Sequence, residues 1–374
     1  MSKRNSLLFN VVRSLAAIAI ALIVATFLVF FSSTSTGFLE KLADTAEALE
    51  ALLVRPFIKA NGTFNSKAFL DVLASMIPIM FTGLATTVMF SANQFNLGSE
   101  GGIMLGAFIA ALSAIYLPLP TIILPIVSIL LGSLAAMLVL LIPATLKAKL
   151  NISEMVNSLM LNYIIMYLIN FVLTSYVADR SKGQLVTHQI QKHAALPQLV
   201  GGGSKLSVGF IIGLIAVILV TIFMYRTRWG YNIRMIGKNQ EFARYSGINV
   251  AFYIILAQAI GGILAGMGGA VEMLGRYNAY DWKALPGYGW TGITVAILAN
   301  NNPAFVPFAA FFMSFLGKGT ELMSTYSNVP NQLLNIIQAI IFLFFAANNF
   351  LSRYRQRLVV KSAEEEMASE LGGK

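Results

Sequence analysis

The chain has 374 residues, 57% of them hydrophobic and only 11% charged, with a mean hydropathy of +0.73 and a net charge of +10. Soluble domains carry about 25% charged residues, so these values exclude a soluble globular protein and define a polytopic membrane protein. The positive charge reads as cytoplasmic Lys and Arg, not as nucleic-acid binding.

Apolar runs of about 20 residues suit helices crossing a hydrocarbon core ~30 Å thick. The alternating ten-residue strands of a β-barrel are absent. No cysteine is present, which removes disulfides and thiolate metal sites. His188 and His193 share one polar loop at a spacing poor for a single metal, so no metal site is expected.

Residues 1–13 are basic, with Lys3, Arg4 and Arg13, and the apolar run 12–31 exceeds the core of a cleaved signal peptide. It is expected to be an uncleaved first helix with its N-terminus inside. Residues 36–67 are polar around the ordered pattern Leu39, Leu42, Ala46, Leu49, Leu53. That pattern predicts a short amphipathic helix on the outer surface, either a brace or a docking face. Domain boundaries are expected at 1–67 for this N-terminal part, 68–350 for a permease-like core and 351–374 for an inner tail.

A second span, 69–90, is expected to break at Pro78. Then comes Phe95-Asn96-Leu97-Gly98-Ser99-Glu100-Gly101-Gly102, a carboxylate, an amide and three glycines between two apolar runs. At membrane depth, loosened backbone is tolerated only where it lines a cavity or is buried in protein. An ionisable group there by default marks a pathway. Two readings stand: the wall of a permeation route, or a short cytoplasmic turn with its Glu in water.

The third span is 103–117 and the fourth 122–146, ending at Pro143 before Lys147 and Lys149. The fifth, 151–177, is polar on one side, with Glu154, Asn157, Ser158, Asn162 and Asn170. Such amides face a cavity, or they hydrogen-bond a neighbouring helix. Glu154, at the basic end, reads as facing cytoplasmic water. The sixth span is 206–225. Loop 226–250 is the most basic internal segment, and within it 239–246 suits a two-turn helix bracketed by Gly237 and Gly247. Phe242 and Tyr245 share a face of it. That face suits docking into a soluble partner, or lies against anionic lipid. The seventh span, 251–274, carries Gly262-x-x-x-Gly266, which allows close helix approach. Runs 288–298, 305–316 and 333–347 close the set.

The expected fold is therefore all-α, about ten transmembrane helices, with both termini inside. The inner segments hold 15 Lys/Arg against 11 in the longer outer ones, which fits that orientation. Spans two to five and seven to ten then form two inverted halves. The glycine stretch has a loose counterpart in Gly287-Tyr288-Gly289-Trp290-Thr291-Gly292, a pattern that points to a central binding site.

The chain holds no G-x-x-x-x-G-K-[ST] phosphate loop and no series of buried carboxylates of the kind proton pumps use. Either transport is passive or an ATPase docks from inside. No residue is expected to be catalytic.

Phe95-Asn96-Leu97-Gly98-Ser99-Glu100-Gly101 resembles the F-N-I-G-A-E-G signature of ABC-importer permeases for nucleosides and simple sugars. These form the ribose-permease and branched-chain-amino-acid-permease superfamily. Glu154-Met155-Val156-Asn157-Ser158-Leu159-Met160-Leu161-Asn162-Tyr163 resembles its E-V-I-x-T-L-M-L-N-Y run. Gly237-Lys238-Asn239 with Tyr245-Ser246-Gly247-Ile248-Asn249 resembles its coupling segment. Gly287-Tyr288-Gly289 with Ala296-Ile297-Leu298-Ala299-Asn300-Asn301-Asn302-Pro303 resembles its G-Y-G and N-N-P block. Ser99 stands where Ala is usual, Leu97 where Ile is usual, and Gly102 where Gln is frequent.

The resemblance implies an importer in a bacterial cytoplasmic membrane. A second permease subunit, often a different chain, joins this one, with cytoplasmic ATPase domains and a binding lipoprotein outside. ATP is bound by the ATPase, so this chain needs no cofactor. Residues 243–247 would be the coupling helix, giving Gly237, Asn239, Phe242, Ala243, Tyr245 and Gly247 as ATPase-coupling residues. Asn96 and Glu100 would border the substrate path, and Phe95, Ser99, Asn157 and Asn162 are the further candidates for it. A nucleoside suits amides and aromatics better than a charge clamp would. The alternative is an ion-coupled secondary carrier or channel, with Glu100 or Glu272 as its titratable group. A non-transporting scaffold is the third reading.

Overall fold

The described apolar runs fold as helices. Among the described residues no strand forms beyond two isolated antiparallel bridges, Ala178 with Thr187 and Gln198 with Ser207. The computed structural model describes residues 37–59, 61–201 and 203–326, with scattered positions between 23 and 31 and at 336 and 339. Most of the expected span 333–347, most of the expected first span and the whole basic tail lie outside these residues.

The chain divides into two compact units. Asn61–Lys318 forms one; Met1–Ala60 and Gly319–Lys374 form the other. In the second unit, α1 spans Phe38–Leu53 and buries Thr45, Ala48, Ala51 and Leu52. The expected apolar stripe is not the buried one: Leu39 is 78% exposed, and Leu42, Ala46 and Leu53 are exposed too. Small residues face inward because backbone comes close. A Cβ on Gly319 would lie 2.3 Å from the Leu52 carbonyl oxygen.

In the large unit, α2 spans Ser66–Ser91. The Asn65 side chain starts it by accepting from the Ala68 N–H at 3.3 Å. Contrary to expectation, α2 runs through Pro78 without breaking. The proline lacks the N–H that would reach the Ala74 carbonyl, yet it is buried among packed helices that hold the segment helical. Helix α3 is Ser99–Tyr116 and α4 is Ile123–Leu150, which continues past Pro143. Asn151, in the left-handed region at φ 54°, ends α4 by donating to the Leu146 and Lys147 carbonyls.

Helix α5 is Glu154–Val172, closed by a π-helical turn over Leu173–Val177, and α6 is Gly209–Arg226. The basic loop expected next begins with a helix of its own, α7, Arg228–Lys238, followed by α8, Gln240–Tyr245. Helix α9 is Val250–Arg276, α10 is Tyr288–Leu298 and α11 is Val306–Tyr326.

Six of these are long and apolar enough to cross a membrane: α2, α3, α4, α5 with its π turn, α6 and α9. At 11 residues, α10 is about 16 Å long, half a hydrocarbon core. It bends by 113° into α11, across Asn300 and Asn301, both left-handed. The runs expected as two separate spans are thus one bent pair, a broken span or a re-entrant loop. The described residues account for six or seven crossings of the ten expected.

The core is where α9 meets α3 and α4 with almost no side chain between them. A Cβ on Gly106 of α3 would lie 2.3 Å from the Gly266 oxygen, and one on Gly266 would lie 2.6 Å from the Gly132 oxygen of α4. Lipid gives no hydrophobic drive for helices to associate, so backbone contact through small residues takes its place. This packing fixes the depth of the glycine stretch that opens α3.

Candidate functional site

The stretch expected to be loose is divided. Ser99, Glu100, Gly101 and Gly102 already form the first turn of α3, and only residues 92–98 lack helical structure. Backbone groups there have no helical partner, and each one left unpaired in apolar surroundings costs several kcal/mol. Helix α5 supplies the partners. Glu154, Ser158 and Asn162 recur every four residues and so share one face. Glu154 accepts from the Phe95 N–H at 3.1 Å. Ser158 accepts from the Leu97 N–H at 2.9 Å. Asn162 accepts from the Gly101 N–H at 2.9 Å and donates to the Leu97 oxygen at 3.0 Å. The stripe reads as a zip along the unwound chain.

Asn96 completes it from within. Its oxygen accepts from the Gly98 N–H at 2.6 Å, and its amide donates to Gln258 of α9 at 2.5 Å. Gly101 has no room for a side chain, because a Cβ would lie 2.7 Å from the Asn162 oxygen.

Glu100 joins the two glycine blocks. Its carboxylate oxygens accept from the N–H groups of Gly287 and Gly289, each at 2.5 Å. These N–H groups open α10, while Glu100 itself lies in the first turn of α3. Both helix N-termini carry partial positive charge, so one buried carboxylate serves two dipoles. Gly287 sits at φ +86°, and a Cβ on Gly289 would lie 2.5 Å from the Glu100 nitrogen. Thr82 of α2 adds a hydrogen bond to the Tyr288 oxygen at 2.8 Å.

The candidate path residues therefore separate. Asn96, Ser99, Glu100 and Asn162 are fully buried, and three of them hold backbone. Phe95 is 44% exposed and stacks on Phe90 with ring centroids 4.9 Å apart. Asn157 is half-buried, off the bonding stripe, and its amide nitrogen has no partner among the described residues. Glu154, expected in water, is buried and pairs with Lys147 at 3.2 Å. Gln258 was not singled out by sequence; a lone amide in the apolar run of α9 was the available signal. Glu272, the other candidate titratable group, pairs with Arg276 at 3.4 Å, which in turn donates to Ser75 at 3.2 Å. The loop histidines lie apart from all this. His188 is 3.7 Å from Asp179, whose carboxyl is held below its ordinary value by the Ser181 hydroxyl.

The second candidate site is the inner segment. Asn239 caps α8 by accepting from the Phe242 N–H at 2.9 Å, and Gly247 at φ +80° ends it. Ala243 is fully buried in a cluster with Ile236, Val250 and Ile254, against Ala148 of α4. On the other side, Phe242 is 55% and Tyr245 88% exposed. Gly237 lets α7 pass the end of α2, since a Cβ would lie 2.1 Å from the Ser91 oxygen. The segment thus rests on the ends of α2, α4 and α9 while presenting two aromatic rings outward.

The chain is similar to known proteins over most of its length. Residues 68–346 match the family described as the permease component of the branched-chain amino acid transport system. The chain is 30% identical to the glucose ABC transporter permease protein TsgB13 of Haloferax volcanii, over 85% of this chain and 87% of that one. It is 29% identical to the guanosine ABC transporter permease protein NupP of Bacillus subtilis, over 77% and 84% of the two chains. It is 28% identical to the nucleoside ABC transporter permease protein NupB of Lactococcus lactis, over 78% and 81%. A match over most of the chain, joined to a helical membrane fold, shows that the protein belongs to the branched-chain amino acid transport system permease family.

Proposed function

We propose that this chain is the membrane permease subunit of an ATP-driven importer for nucleosides, with simple sugars the next substrate class. The observation that carries it is α8. A two-turn helix anchored by a buried Ala243 and offering Phe242 and Tyr245 outward is built to be gripped by another protein. That protein is a cytoplasmic ATPase, and this chain has no ATPase of its own. A second permease chain and an outer binding lipoprotein complete the assembly, with both termini of this chain cytoplasmic.

Glu100 and Glu272 speak against the ion-coupled alternative. Both are engaged, one by two backbone N–H groups and the other by Arg276. Two of the relatives above are named for nucleosides or guanosine. Aromatic Phe95 and the unpartnered amide of Asn157 supply stacking and hydrogen bonding of the kind a neutral base and ribose need. The test is uptake of radiolabelled nucleosides into vesicles holding this chain with its partner permease and binding lipoprotein, with and without the ATPase, beside vesicles holding this chain alone. Uptake that needs the ATPase and ATP supports the proposal. Uptake driven by an ion gradient in the chain alone overturns it.

A further inference from the structure

Between the end of α4, the flank of α8 and the start of α9 lies a cavity of about 680 Å³. Lys147, Lys149 and Arg244 line it. Glu241 is the one carboxylate on its wall. Ile248, Val250 and Ile254 line it as well and give it an apolar side. It sits at the ends of two helices long and apolar enough to cross a membrane, α4 ending at Leu150 and α9 starting at Val250. Cationic groups beside an apolar wall, at headgroup depth between membrane helices, form the arrangement that takes an anionic lipid headgroup.

We infer that this cavity binds the phosphate of an anionic phospholipid, held by Lys147, Lys149 and Arg244. Charge complementarity selects the occupant. Of the three cations, Lys147 is shared with Glu154 at 3.2 Å, Arg244 lies 3.5 Å from the exposed Glu241, and Lys149 has no ion pair among the described residues. The cavity therefore keeps an excess of positive charge for an anion to neutralise.

The site also reaches the glycine stretch. Lys147 bridges to one oxygen of Glu154, and the other oxygen holds the Phe95 N–H at 3.1 Å. A phosphate at Lys147 shares the ammonium with Glu154, so lipid occupancy bears on the tether of the unwound chain. The leaflet concerned is the cytosolic one, which rests on the proposed function; the lipid preference itself does not.

The experiment uses the assembled transporter, embedded in nanodiscs of phosphatidylglycerol and phosphatidylcholine and then released for native mass spectrometry. Retained phosphatidylglycerol is expected to fall about fivefold in Lys149→Gln, the change that one basic residue beside an anionic surface gives. It falls further in Lys147→Gln/Lys149→Gln and stays unchanged in Lys238→Gln, a cation outside the cavity. Equal retention in Lys149→Gln and the parent overturns the inference. Complete displacement by excess inorganic phosphate also overturns it, because the source would then be free phosphate. Loss of ATP-driven uptake in every lipid, with retention intact, would count against the transport reading and leave the lipid site standing.

Discussion

Glu100 and Gly289 lie on different helices 189 residues apart in the chain, yet the carboxylate of one accepts the N–H of the other at 2.5 Å. The contact ties the N-terminus of α3 to that of α10. These are the two glycine blocks whose likeness the sequence hints at. An anion between two helix N-termini is stabilised by both dipoles and by charge-assisted hydrogen bonds.

Glu100→Gln keeps the shape of the side chain and loses the charge. One amide oxygen can serve one N–H, while the amide nitrogen faces the other as donor against donor. Leaving a buried N–H without its charged acceptor costs about 2–3 kcal/mol. The variant complex is expected to melt several degrees lower in detergent. An unchanged melting temperature would show that the clamp does not hold the fold.

Gly289 and Gly287 are expected to fail for different reasons. In Gly289→Ala the new methyl meets Glu100 backbone at 2.5–2.6 Å, so α3 and α10 must part. In Gly287→Ala nothing lies within 4 Å, and the cost is that of a left-handed alanine, about 1–2 kcal/mol. Thermal melts of the two variants should therefore rank Gly289→Ala clearly below Gly287→Ala. The reverse order would contradict the packing described.

Asn162→Leu strands the Gly101 N–H and the Leu97 oxygen in apolar surroundings, a loss of about 2–4 kcal/mol. Asn157→Leu strands nothing, because the Asn157 amide nitrogen bonds no described residue. It is expected to leave stability within ~1 kcal/mol and, on the proposed function, to alter the KM for nucleoside. Radiolabel uptake beside thermal melts separates the two outcomes.

Much of this was legible in the sequence, for reasons that can be named. Apolar runs of about 20 residues placed the spans, and Gly237 with Gly247 bracketed α8, because helix stops are local chemistry; that Asn239 is the cap emerged only in the structure. Pro78 and Pro143 misled, because a proline inside a long apolar helix is tolerated where neighbouring helices pack around it, and both are buried. Glu154 misled for a different reason. Its partners, Lys147 and the Phe95 N–H, come together only in three dimensions. In α1 the apolar stripe pointed away from the protein, since close approach by Gly319 demands small residues on the buried face. Amphipathic pattern alone cannot separate a face toward protein from a face toward lipid. Helix α7 was hidden by its arginines, whose charges read as loop.

The account turns on α8 as the grip for an ATPase. Phe242 and Tyr245 are exposed, so Phe242→Ala/Tyr245→Ala should leave the melting temperature within about 1 °C of the parent. The measurement that decides is ATP-driven nucleoside uptake by the assembled transporter carrying this double variant. The account predicts a folded permease whose uptake falls by at least ~10-fold while the ATPase still hydrolyses ATP. Uptake at the parental rate would contradict it.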